Sequence, residues 1–291
     1  MSRFCDGLLA RFGDQILRII LYGSFARGEA HAESDVDVMV VVGWEFEKLP
    51  GGWYASPYGD PRWEAIIDLS VEATLDCERY VSPLVLSEAL FYDTSTEAAR
   101  EARREGIELY GPASGVTPAA QYLATPGASA GGTIRSATPR VLKETEPAPD
   151  YDTEPADLGN PRLWLALADE KLRASRRLAD DDYRNDAVSR AYYGMFYAAK
   201  AALLSVGVTV KTHGGVNSEF GRLFVKTGRI AHRYQTMLTH ASEDRLRSDY
   251  APKTRPSQEN VERIIRDAEV FITKARELVE EELSKRGGAL P

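Results

Sequence analysis

Apolar and polar positions alternate in two different ways along the chain. From Gln15 to Tyr22 (QILRIILY) a β-rich apolar run stops at Gly23-Ser24, and from Asp35 to Val42 (DVDVMVVV) alternation passes into a continuous apolar stretch. Both patterns predict buried strands of one sheet. Trp63, Ile66, Ile67, Val71 and Leu75 recur at helical spacing, and a strand from Trp63 to Cys77 would be unusually long, so that segment predicts a helix. Arg79 to Leu86 predicts a further strand, and Ser95 to Glu108 a helix that ends before Tyr110-Gly111.

Beyond residue 160 the period is helical and no convincing strand remains. Leu165, Ala168, Leu172, Ser175 and Leu178 mark one stripe, and Val188, Tyr192, Met195, Ala199, Ala202 and Val206 a second. A third helix is expected near Asn217 to Thr227, a fourth from about Ala231 to Tyr250, and a last one through Val261, Ile264, Ala268, Phe271, Ala275 and Val279. The expected fold is α+β: a small mixed-sheet domain followed by an all-α helical bundle.

Residues 111–160 hold 7 of the 15 prolines and 6 of the 23 glycines, which predicts a linker rather than a packed element. The expected organisation is therefore a sheet domain at 1–111, a linker at 112–160 and a helical bundle at 161–285. Net charge is −8, but residues 1–110 carry 10 basic against 20 acidic side chains while residues 161–291 carry 23 against 18. The acidic first part is a poor nucleic-acid surface, and the basic last part suits either phosphates or docking on its acidic neighbour. No apolar run approaches the roughly 20 residues that cross a bilayer, so no membrane partner is expected. The opening MSRFCDGLLARFGDQ lacks an apolar leader run, and Cys5 and Cys77 offer neither a disulfide framework nor metal-ligand spacing. A cytoplasmic protein with reduced thiols is expected.

The segment GSFARGEAHAESDVDV, Gly23 to Val38, joins the two predicted strands. Strand alternation puts Asp35 and Asp37 on one face, and two close carboxylates repel unless a cation lies between them. Hard oxygen ligands suit Mg²⁺, which completes its shell with water and substrate phosphates, so a nucleoside triphosphate fits the pattern. Gly23 would let backbone approach phosphate oxygens, Ser24 would add a hydroxyl donor, and Arg27 is a plausible countercharge.

This segment resembles the G-S-x(10)-D-x-D signature of polymerase-β-like nucleotidyltransferases, in particular the minimal nucleotidyltransferase domains, over residues 1–111. The resemblance implies nucleotidyl transfer in which Asp35 and Asp37 hold two Mg²⁺ ions and Gly23, Ser24 and Arg27 meet the nucleotide. Adenylyl transfer from ATP to a hydroxyl on a protein, an RNA end or a small molecule is the leading expectation. The family usually adds a third carboxylate on a neighbouring strand, where the strand Arg79 to Leu86 offers Ser82 instead. Asp68, Asp76 and Glu78 are weak substitutes, and a nucleotide-binding protein without turnover stays open as an alternative.

Residues 185–206 (NDAVSRAYYGMFYAAKAALLSV), KTHGGVNSEFGRLFVKTG and RLRSDY resemble a HEPN domain over about residues 161–285. Such a module suggests a toxin–antitoxin-like arrangement in which the first domain modifies or neutralises the second, with Tyr250 as a candidate modified group and a homodimer formed through the helices. Arg190, Arg245, Asp249 and Tyr250 stand out as polar residues in apolar helix patterns. A core reading is expected for Tyr192, Met195, Phe196 and Ala199. The ribonuclease pattern of Arg, four to six residues, then His is met only by Arg233 and His240, a spacing that chance alone supplies. Ribonuclease activity is therefore not expected, and His213 reads as a helix-start or turn residue.

Overall fold

The computed structural model describes residues 1–31, 34–49, 53–55, 57, 60–93, 96–111, 159–250 and 254–287, with the side chains of 53, 248–250, 254 and 286–287 left out. Helix α1 (Ser2–Phe12) buries Phe4, Cys5, Leu8 and Phe12, and leads through a short 3₁₀ turn into β1 (Ile16–Leu21). Then come α2 (Gly23–Arg27), β2 (Val36–Val42), β3 (Lys48–Leu49) and β4 (Trp53–Ala55). Helix α3 (Pro61–Cys77) starts where the Asp60 side chain accepts from the Arg62 amide and proline occupies the first turn. It buries Trp63, Ile66, Ile67 and Val71, as the apolar spacing predicts. Strand β5 (Val81–Ser87), α4 (Glu88–Tyr92), α5 (Glu97–Glu105) and β6 (Ile107–Tyr110) complete the first part.

The main sheet has the order β5-β2-β1-β6, with β1 antiparallel to both β2 and β6 and β2 parallel to β5. It is the mixed sheet expected. One boundary differs. The helix expected over Ser95–Glu108 ends at Glu105, because Gly106 is extended and Ile107–Tyr110 pair with the free edge of β1. A sheet edge that needs backbone partners outweighs three residues of weak helical pattern.

The second part is helical: α6 (Pro161–Asp180), α7 (Arg184–Ser205), α8 (His213–Phe220), a π turn (Gly221–Val225), α9 (Arg233–Tyr250) and α10 (Gln258–Gly287). Helices α6, α7 and α10 pack on one another, and α9 bridges from α7 to α3 and β5 of the sheet. The segment expected near Asn217–Thr227 thus starts earlier and closes through the π turn, whose Gly221 lies against Leu75 of α3. The bundle also contributes one short strand the pattern hid, β7 (Thr254–Arg255), which pairs in parallel with β4. The linker expected over 112–160 falls almost wholly outside the described residues. Both cysteines are free thiols, and among the described residues no helix is long and apolar enough to cross a membrane.

The two parts meet across an extensive interface. His240 of α9 packs at a tilt against the buried Trp63, 4.9 Å between ring centroids, and Arg247 donates to the Val85 carbonyl at 2.6 Å. At its edge, Lys226 pairs with Glu78 at 2.7 Å and Arg263 with Glu64.

Candidate active site

The site is built where β1 turns back towards β2. Tyr22, after the last residue of β1, donates its amide to the Asp37 carbonyl at 3.0 Å, and Gly23 follows with φ +67°. A Cβ at Gly23 would overlap the Asp37 carboxylate, so only glycine allows the turn to close on that side chain. Ser24 stands in the first turn of α2, half-buried, and its carbonyl accepts from Glu29 at 2.9 Å. Arg27 ends the helix and is shared among Glu29 (2.8 Å), Glu101 (2.5 Å) and Glu105 (3.1 Å).

Asp35 and Asp37 flank Val36, which is buried, and take the opposite face as the alternation requires. Burial pushes the Asp35 carboxyl up to about 7. Burial, then the charge of Asp35, then Glu101 push Asp37 up to about 7 against the opposing pull of Arg27. Two half-buried carboxylates that repel each other are chemically suited to a divalent ion. Among the described residues no group of three or more His, Cys, Asp or Glu side chains converges as a metal site. The pair fits Mg²⁺ in its usual mode, in which water and phosphate oxygens fill the remaining positions.

The helical part closes over Asp35. Its carboxylate rests on Gly214 in the first turn of α8, where any Cβ would overlap it. Thr212 caps that helix, its hydroxyl accepting from the Gly215 amide at 3.1 Å. A cleft of about 250 Å³ opens beside this contact, lined by Ser34, Asp35, Arg79, Tyr80, Gly214 and Glu219.

With that geometry in hand, the nucleotidyltransferase-domain family matches residues 1–92 and the HEPN-domain family residues 161–278. The chain is a nucleotidyltransferase domain joined to a HEPN domain, and it belongs to both families. It is 36% identical over 117 residues (40% of this chain, 87% of the relative) to a protein of Methanocaldococcus jannaschii named as a candidate toxin. It is 34% identical over 118 residues (40% and 89%) to a UPF0332 protein of Thermotoga maritima. A second M. jannaschii protein, named as a candidate protein adenylyltransferase, is 30% identical over 91 residues (31% and 74%).

In the nucleotidyltransferase domain, β5 carries no acid. Ser82 stands beside Asp37 in the parallel register and is buried. The three weak substitutes are engaged elsewhere: Asp68 faces Thr236, Asp76 pairs with Arg3 at 2.7 Å, and Glu78 pairs with Lys226. The carboxylate found here comes instead from the HEPN domain. Glu243 of α9 accepts from Tyr80 Oη at 3.1 Å and from Ser82 Oγ at 3.2 Å, both at the same carboxylate oxygen. Burial pushes Glu243 up to about 8, although the Arg247 guanidinium works the other way.

In the HEPN domain, Arg245 lies over the rings of Tyr192 (5.8 Å) and Tyr193 (5.4 Å), and Arg190 over Tyr193 (5.9 Å). Tyr192, Met195, Phe196 and Ala199 are buried, as a core reading requires. Tyr192 Oη and His213 Nδ1 are hydrogen-bonded at 2.7 Å, and His213 opens α8, the helix-start role its setting predicts. The side chains of Asp249 and Tyr250 lie outside the described residues. His240 is buried against Trp63 and held neutral, its pKa pushed down to about 3 by burial and then by Arg263. Arg233 is exposed whereas His240 is buried, so the two do not open to solvent together.

Proposed function

We propose that this chain transfers a nucleotidyl group, adenylyl from ATP, to a hydroxyl acceptor, using Asp35 and Asp37 to hold Mg²⁺. The observation that carries this reading is the half-buried, mutually repelling aspartate pair with the Gly23 turn pressed onto Asp37. When bound, two Mg²⁺ ions would neutralise charge on the triphosphate and align the entering and leaving oxygens. Asp35 and Asp37 orient that charge from one face of the sheet. Gly23 gives the phosphates access to backbone, Ser24 supplies a hydroxyl donor, and Arg27 meets phosphate by exchanging its carboxylate partners for it. The acceptor oxygen forms a bond to the α-phosphorus while the bond to pyrophosphate breaks.

The acceptor in this reading belongs to a protein, in the manner of a toxin–antitoxin-like module. Relatives named as a candidate toxin and a candidate protein adenylyltransferase support it, as does the direct seating of the HEPN domain on Asp35. Labelled nucleoside triphosphates offered with Mg²⁺ to the chain itself, to RNA and to aminoglycosides test both parts. One AMP unit gained by the chain, and lost in Asp35→Asn with Asp37→Asn, supports the reading, with Tyr250 the first position to map by mass spectrometry. Nucleotide binding without product on any acceptor would reduce the domain to a binding module.

A further inference from the structure

The nucleotidyltransferase domain lacks an acid on the strand beside Asp37, and the position is taken by Ser82. Paired residues of parallel strands project to the same face, so Tyr80 and Ser82 share the face of Asp35 and Asp37. Onto that face α9 brings Glu243, fully buried, with one carboxylate oxygen on Ser82 and Tyr80 and the other, Oε2, without a hydrogen-bond partner among the described residues. A buried carboxylate left with a bare oxygen costs stability, and a purely structural clamp would be met as well by a neutral acceptor such as glutamine.

Resting on the proposed Asp35–Asp37 reaction, we infer that Glu243 of the HEPN domain is the missing third carboxylate of the nucleotidyltransferase site, a positioning residue that acts through Ser82 as the final proton acceptor. With Glu243 in its ionised form, the proton of the acceptor oxygen passes to Ser82 Oγ as that oxygen bonds to the α-phosphorus, and the Ser82 proton passes to Glu243. Pyrophosphate departs with the electron pair of the broken bond. Among the described residues no three acids converge as a metal site, which fits Glu243 to proton transfer rather than to cation binding. The site of one domain is then incomplete without the other.

The test uses the full chain, pyrophosphate release from ATP, and Mn²⁺ binding followed by electron paramagnetic resonance. Glu243→Gln keeps an acceptor for Tyr80 and Ser82 and removes the basic oxygen. It is expected to lower kcat about 10²-fold, the typical worth of general-base assistance, with KM and Mn²⁺ affinity within about two-fold of wild type. Adding Ser82→Asp to that variant puts an acid directly beside Asp37 and is expected to recover at least about a tenth of the wild-type rate. Wild-type turnover in Glu243→Gln overturns the inference, as does a failure of Ser82→Asp to raise the rate. Should Glu243→Gln melt below the assay temperature, Ser82→Ala in the wild-type chain decides. A loss of about ten-fold or more supports the relay, and an unchanged rate overturns it. Asp37→Asn, run in parallel, is expected to lose Mn²⁺ binding. If it binds Mn²⁺ as wild type does, or if wild type releases no pyrophosphate, the metal-site reading itself falls.

Discussion

Asp35 lies directly on Gly214: the first carboxylate of the nucleotidyltransferase motif is covered by the opening turn of a HEPN helix, at a position that has no room for a Cβ. The nearness of the two halves therefore depends on one missing methyl group.

Replacing Gly214 by alanine separates two outcomes by sign. In a helix free of other contacts the change stabilises by about 1 kcal/mol. Here the methyl must displace the Asp35 carboxylate or push α8 off the sheet, an overpacking that costs about 1–3 kcal/mol. Gly214→Ala is expected to lower the denaturation midpoint and to raise hydrogen exchange around residues 34–36. An increased midpoint would contradict the packed interface.

Asp35 and Asp37 make stability fall with pH in the absence of metal. Their folded pKa values of about 7 lie above the ordinary carboxylate value, so between about pH 4 and 7 the folded chain holds protons that the unfolded chain has released. Stability is fully present below that window and is lost as pH rises through it. In EDTA, melting temperature is expected to drop from pH 5 to pH 8, and Mg²⁺ is expected to reverse most of the drop. Asp35→Asn with Asp37→Asn, melted in EDTA at pH 8, is expected to exceed wild type.

His240 acts with the opposite sign. Its folded pKa of about 3 lies below the ordinary histidine value, so the unfolded chain takes up a proton that the folded chain refuses. That contribution is present above about pH 6.5 and is lost as pH falls towards 3. Between pH 6 and 4, wild type is expected to lose more melting temperature than His240→Gln. Parallel slopes would show that His240 opens to water in the folded state.

Arg27 is bound to acids in the structure, and phosphate must compete for it. Partly exposed ion pairs are worth about 0.2–1 kcal/mol, so Glu101→Gln with Glu105→Gln is expected to lower KM for ATP by up to about five-fold. A raised KM would mean that the two glutamates hold Arg27 where the nucleotide needs it.

Much of this was legible in the sequence because it is local. The spacing from Gly23-Ser24 to Asp35 and Asp37 is set by one turn between two adjacent antiparallel strands, and short-range periodicity shows it. Ser82 could likewise be placed beside the aspartates from strand alternation alone. Ile107–Tyr110 could not, since their strand exists only because β1 offers an open edge. Helix α1 left a readable signal at Phe4, Cys5, Leu8 and Phe12 that the short N-terminal segment obscured. Glu243 left none. It lies 161 residues from Ser82, on a helix that also buries Gln235, His240, Asp244 and Arg247, so the pattern does not single it out and its partner is fixed by tertiary packing.

The pairing of β4 with β7 matches Tyr54 with Thr254 and Ala55 with Arg255, so main-chain hydrogen bonds bind the two halves as well as side-chain packing does. A protease nick anywhere between residues 112 and 158 would on these grounds leave two fragments that co-migrate on a sizing column. What the intervening peptide adds is proximity, and the folded unit is in substance a heterodimer whose subunits share a single backbone.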